Sequence, residues 1–101
     1  MNNWTLYATY TTSSTTIRTL PTSFSELYIK PSSTKNYQYC LSMLIPQICI
    51  PDVGSVNQAL ELVQPGGKGY FSVCKIWANN LIFYTARSMS FPSYSYDVYY
   101  R

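Results

Sequence analysis

The sequence predicts an all-β fold, an antiparallel β-sandwich of about eight strands, with a jelly-roll-like arrangement or a related barrel as the alternative. Three observations point there. Apolar and polar residues alternate with period two along most of the 101 residues, which is the side-chain period of a half-buried strand. Aromatic and β-branched residues, eleven tyrosines among them, fill these stretches as they fill strands generally. Clusters of Pro, Gly, Asn and Ser separate the stretches at near-regular spacing. The length suits a single domain spanning residues 1–101 with one core.

At the start, Trp4, Leu6, Ala8 and Tyr10 alternate with Thr5, Tyr7 and Thr9 and predict a first strand with the two sets on opposite faces. Thr11-Thr12-Ser13-Ser14-Thr15-Thr16 is a polar connection. A second strand is expected near Ile17 to Leu20, before Pro21 interrupts it. Phe24 to Lys30 resumes with Leu27 and Ile29 facing in and Glu26, Tyr28 and Lys30 facing out. Beyond the loop at Pro31-Ser32-Ser33-Thr34, Tyr37, Tyr39, Leu41, Met43 and Ile45 share one face of a long strand whose other face holds Gln38, Cys40, Ser42 and Leu44. Pro46 and Pro51 then confine Gln47 to Ile50 to an edge or a short bent strand, because proline cannot donate to a ladder.

Ser55 to Val63 reads two ways. Val56, Ala59, Leu60 and Val63 have helical spacing behind a Ser-x-x-Gln start that resembles a capping box, whereas Leu60 and Leu62 alternate around Glu61 as in a strand. A short strand or extended loop is the reading adopted, since one or two helical turns are marginal alone. Pro65-Gly66-Gly67-Lys68-Gly69 is a turn. Tyr70 to Trp77 and Leu81 to Arg87 form a hairpin around Ala78-Asn79-Asn80. After Ser88 to Ser93, broken by Pro92, the chain closes on a strand with Tyr94, Tyr96, Val98 and Tyr100 on one face and Ser93, Ser95, Asp97, Tyr99 and Arg101 on the other.

Composition narrows the chemistry. Charged residues make up 11% of the chain, less than half of the roughly 25% in an average domain, so hydroxyls supply most of the polar surface. The net charge of +3 comes from seven bases scattered singly among four acids, not from the basic cluster that nucleic-acid binding usually shows. No apolar run reaches the roughly 18 residues of a membrane span, and the first residues lack the basic head and apolar run of a signal peptide. Synthesis in a reducing cytoplasm, with no membrane insertion, is therefore expected. Cys40, Cys49 and Cys74 fit buried free thiols, with a Cys40–Cys74 or Cys49–Cys74 pairing left open. With no histidine there is no Ser-His or Cys-His nucleophile and no imidazole ligand. Glu26, Asp52, Glu61 and Asp97 sit in separate strands or loops and are expected to be solvated. The expectation is no enzyme, no cofactor and no metal.

Several phrases carry a resemblance. Asn3-Trp4-Thr5 before a Ser/Thr-rich turn, Leu20-Pro21, Phe24-Ser25-Glu26-Leu27-Tyr28-Ile29, Gly67-Lys68-Gly69-Tyr70 and the close Asp97-Val98-Tyr99-Tyr100-Arg101 together resemble small C-terminal domains of phage and prophage tail or fibre proteins from gut bacteria. The resemblance covers most of the chain. It implies a virion protein, a β-sandwich module at a fibre tip, often trimeric, that contacts host surface glycans or protein receptors. Because no shaft, collagen-like repeat or coiled coil is visible upstream, a stand-alone decoration protein that packs against copies of itself or neighbouring virion proteins is kept as the second reading. Candidate contact residues are Tyr7, Tyr28 and Tyr99, which have outward parity, and Trp77, beside a turn where its ring could meet a sugar face. Tyrosine suits such work because it offers a large contact area at low rotamer entropy.

Overall fold

The structure, a computed structural model, describes residues 3–13, 15–33, 42–65, 71–86 and 95–101. Its strands are β1 (Thr5–Thr11), β2 (Arg18–Thr19), β3 (Glu26–Pro31), β4 (Met43–Pro46), β5 (Leu60–Pro65), β6 (Phe71–Trp77), β7 (Asn80–Ala86) and β8 (Ser95–Tyr100). They form two four-stranded antiparallel sheets, ordered β1-β8-β3-β4 and β2-β7-β6-β5. The all-β sandwich predicted from the sequence is the observed architecture. Placing β1 beside β8 and β2 beside β7 wraps the chain as a jelly roll does. The interior differs, for β4 stays next to β3 and β5, β6 and β7 make a meander, where a jelly roll exchanges β4 and β6 between sheets.

Alternation builds the core as expected. Leu27 and Ile29 of β3, Ile45 of β4 and Tyr96 and Val98 of β8 face Cys74 and Ile76 of β6 and Leu81 and Phe83 of β7 in one buried cluster, with Leu20 closing it. Phe83 and Tyr96 stack across the sheets at 4.4 Å between ring centroids and 14° between planes. Such an aromatic pair adds about 0.5–1.5 kcal/mol beyond its area burial.

Four readings need correction. In β1 the register slips between Leu6 and Ala8, leaving Tyr7 as a bulge. The face predicted as continuous is therefore split: Ala8 and Tyr10 pair with the inward Val98 and Tyr96, while Leu6 pairs with the outward Tyr99. Between Pro46 and Pro51 the chain makes a 3-10 turn at Gln47–Cys49 instead of a bent strand. Ser55 to Val63 takes both of its readings in turn: Ser55 caps a 3-10 turn at Val56–Gln58 by accepting from the Asn57 N–H, and β5 follows at once. Finally, Cys49 is exposed in its turn and free, and so is the buried Cys74, which rules out their pairing. Burial pushes the Cys74 thiol far above the usual cysteine range, so it stays protonated and unreactive. Cys40, the first part of the strand expected at Tyr37 to Ile45, the Gly66 to Gly69 turn and the Ser88 to Ser93 connection lie outside the described residues.

The hairpin between β6 and β7 is tight, with Trp77 paired to Asn80 and only Ala78 and Asn79 between them. Ala78 takes φ 48°, a left-handed conformation that a two-residue hairpin demands and that a Cβ resists. Its N–H donates to the Pro51 carbonyl at 2.7 Å, tying the segment after β4 to the end of β6.

The two sides of the first sheet make a stability test. Leu27 is 0% exposed, whereas Leu44 on the neighbouring strand is 53% exposed. Leu27→Ala is expected to lower unfolding free energy by about 2–5 kcal/mol in urea titrations, and Leu44→Ala by less than about 0.5 kcal/mol.

Candidate functional site

The outer face of the first sheet is laid out in rows. Pairing places Leu6, Tyr99, Tyr28 and Leu44 in line across β1, β8, β3 and β4. The two ends of this row are open to solvent, Leu6 at 52% and Leu44 at 53% exposure, and the tyrosines between them are half-buried. One row further, about 7 Å along the strands, come Trp4, Arg101, Glu26 and Pro46. The Trp4 ring lies 5.9 Å from that of Tyr28, and the Arg101 guanidinium sits 4.3 Å from the Trp4 centroid. Arg101 also donates through Nε to Glu26 at 2.8 Å, and the two residues exchange backbone hydrogen bonds in both directions.

On the other side of the aromatic row lie Thr9, Asp97 and Lys30. Thr9 and Ser32 hydroxyls each donate to Asp97 Oδ1 at 2.7 Å, and Lys30 Nζ stands 3.5 Å from Oδ2. Burial by itself raises the pKa of Asp97. The hydrogen bonds from Thr9 and Ser32 and the charge of Lys30 outweigh it and hold the carboxyl below its ordinary value. Glu26, Asp97 and also Glu61, which lies 3.7 Å from Lys75, are thus paired with bases, contrary to the expectation that the carboxylates are simply solvated. The result is an aromatic and aliphatic stripe bordered on both sides by ion pairs.

No protein-family model matches the chain, and comparison with curated proteins and with solved structures returned no match. The functional reading therefore rests on this geometry and on the sequence. Among the described residues no three His, Cys, Asp or Glu side chains gather as a metal site, and no helix is long and apolar enough to cross a membrane.

The structure brings together two of the four candidate contact residues. Tyr28 and Tyr99 are directly paired at the centre of the stripe. Tyr7 is set apart by its bulge: its ring meets the edge of Tyr100 at 6.1 Å and its hydroxyl lies 3.2 Å from Thr19 Oγ1, at the seam between the sheets. Tyr10 reinforces that seam by donating to the Thr19 carbonyl at 2.9 Å, with the Arg18 guanidinium 5.3 Å from its ring centroid. Trp77 is 3% exposed and offers no open ring face. By parity it faces outward from the second sheet with Val73 and Lys75, but that face is roofed over β6 and β7, though not at Val63 of the edge strand β5, which is 48% exposed. The Val56–Gln58 turn packs on β6, and Val73 and Ile82 are buried there too. What remains on that side is a cleft of about 350 Å³ between Ile17, Val56, Ile82 and Tyr84.

Reading the sequence alone misses Trp4, Leu6 and the four charged residues as parts of one surface. Their signal is a repeated pattern. Glu26-x-Tyr28-x-Lys30 and Asp97-x-Tyr99-x-Arg101 both run acid, tyrosine, base, and antiparallel pairing necessarily sets each acid beside the other strand's base.

Asp97 supplies a test by pH. A carboxyl whose folded pKa is depressed contributes stability above its unfolded value, about 3.9, and loses it as pH falls through the lower folded value. Asp97→Asn is expected to cost roughly 1 kcal/mol at neutral pH. In urea titrations repeated at successively lower pH, the gap to the wild type should close only once the pH has fallen below the unfolded value.

Proposed function

We propose that the protein is a non-catalytic binding module of a phage-type virion, of the tail or fibre kind that its sequence resembles, and that the outer face of its first sheet is the contact surface. The observation that carries this is the contrast between the two outer faces. One is covered by the chain itself over β6 and β7, with Trp77, Val73 and Ile82 buried and, of the large aliphatic side chains described on its strands, only Val63 of the edge strand β5 open; the other sets the half-buried Tyr99 and Tyr28 in line between the exposed Leu6 and Leu44. A monomer gains nothing from an aliphatic and aromatic stripe held open to water, whereas a binding module needs one. The pairing of the tyrosines also favours recognition. Both tyrosines are half-buried and the Tyr28 ring packs against Trp4, so less side-chain freedom remains to be lost on binding, and aromatic anchors at the centre of a contact carry most of its energy. Ion pairs at the border give the polar rim that surrounds such a centre. The resemblance suggests a host glycan or protein receptor, or a neighbouring virion protein, as what the face meets.

A double change, Tyr28→Ser with Tyr99→Ser, tests the assignment. Far-ultraviolet circular dichroism should stay that of a β protein, while retention on bacterial cells or immobilised glycans, or self-association in sedimentation, falls at least about tenfold. A folded double variant equal to the wild type in all of these assays overturns the proposal.

A further inference from the structure

The charges on the outer face of the first sheet form a pattern that is its own complement. Arg101 stands beside Glu26 at one end of the Tyr28–Tyr99 pair and Asp97 beside Lys30 at the other, so the four signs alternate around a rectangle. When a second copy is turned over about a line running along the strands between β8 and β3, its β3 comes to lie over this β8. Arg101 then meets the other copy's Glu26, and Asp97 meets the other copy's Lys30.

We propose that this face is an isologous interface, on which a second copy of the chain packs its own first sheet about that two-fold axis. The inference rests on reading this face as the contact surface and names its partner. Apolar residues decide between the two axes the charges allow. With the axis along the strands, Leu6 meets Leu44, Tyr99 meets Tyr28 and Trp4 meets Pro46. With the axis across the strands the charges still match, but Trp4 falls opposite Thr9 and its apolar contact is lost. A receptor has no need of a surface that complements itself, whereas a two-fold pair requires one, since each residue's partner must be present on the same face.

The charges enter such an interface already provided for. Asp97 holds two hydroxyl donors and Lys30, and Glu26 holds Arg101, so neither carboxylate is buried bare when water leaves. The size of the platform sets the strength. Four strands about 4.8 Å apart, and rows spanning about 20 Å along them, give about 400 Å² per partner in projection. That is well under the roughly 800 Å² per partner of a standard interface, so the pair is weak and dissociates in the micromolar range. In a particle carrying many copies, such contacts are reinforced by their number.

Sedimentation of the full chain at low salt, from micromolar to near-millimolar concentration, tests this. The wild type should pass from monomer to dimer. Lys30→Glu makes one end of the rectangle doubly negative and Asp97→Lys makes it doubly positive, so each variant alone should dimerise at least about tenfold more weakly. Mixed in equal amounts, the two variants should pair with close to wild-type strength, because every reversed charge then meets its opposite; the recovery also shows that both are folded. A wild type that stays monomeric throughout, single variants that dimerise normally, or a mixture that fails to recover although both variants retain their circular dichroism would each overturn the inference. The reading of the face as a contact surface is judged separately. A monomeric wild type whose cell attachment still depends on Tyr28 and Tyr99 keeps that reading and removes only the second copy.

Discussion

One extra residue in the first strand governs the layout of this molecule. Tyr7 has no partner on β8, and the slip it introduces reverses the parity of the strand on either side of it. Ala8 and Tyr10 thereby join the core face, while Leu6 and Trp4 turn to the open face. Without the slip, a side chain on the core side at Ala8 would put Leu6 on that side too, and Tyr7 would stand beside Tyr99 in the outer row in place of Leu6. The same bulge swings Tyr7 against Tyr100 and Thr19, where it helps to seal the seam between β1 and β2. Sheet closure and surface composition are thus set by a single local irregularity.

The central pair of strands then decides what the open face presents. β8 lies between β1 and β3, so its inward residues, Tyr96 and Val98, anchor the core while its outward residues, Asp97, Tyr99 and Arg101, meet β3. Since both strands carry acid, tyrosine and base in the same order, antiparallel pairing gives two ion pairs flanking a tyrosine pair. Exposed ion pairs contribute little to stability, about 0–1 kcal/mol each. In the proposed interface their value lies in specificity, because a fixed arrangement of signs accepts only a matching surface. On the opposite side of the sandwich the chain covers the outward apolar residues of β6 and β7, Val73, Trp77 and Ile82, and leaves Val63 of the edge strand β5 open.

Much of this was legible in the sequence, and the exceptions have physical causes. Strict alternation located β3 and β8 and put Leu27 with Ile29 and Tyr96 with Val98 on one face each, because burial on one side of a regular strand leaves a period-two signal; β6 and β7, buried on both faces, show instead as runs of β-forming residues around a tight turn. The bulge at Tyr7 left none: Trp4, Leu6, Ala8 and Tyr10 continue the alternation without a break, and only pairing against β8 exposes the slip. Trp77 was misjudged for a different reason. Its strand position is outward, but whether an outward residue is exposed depends on segments distant in sequence, and the turn at Val56–Gln58 packs on its strand. Tyr28 and Tyr99 carried outward parity in the sequence; that they are neighbours required knowing that β3 and β8 pair across almost the whole chain. The apolar neighbours of Cys49 read as a buried stretch, yet the 3-10 turn between Pro46 and Pro51 leaves Gln47, Ile48 and Cys49 exposed.

The central claim is that the first sheet presents an open aromatic face while the second is covered over β6 and β7, and the chain's two tryptophans report on one face each. Hydroxyl-radical footprinting of dilute native protein, read by mass spectrometry, measures both at once. Trp4 should be oxidised readily and Trp77 protected until the protein is unfolded in denaturant. Oxidation of Trp77 at a rate matching Trp4 in the native protein would contradict the account.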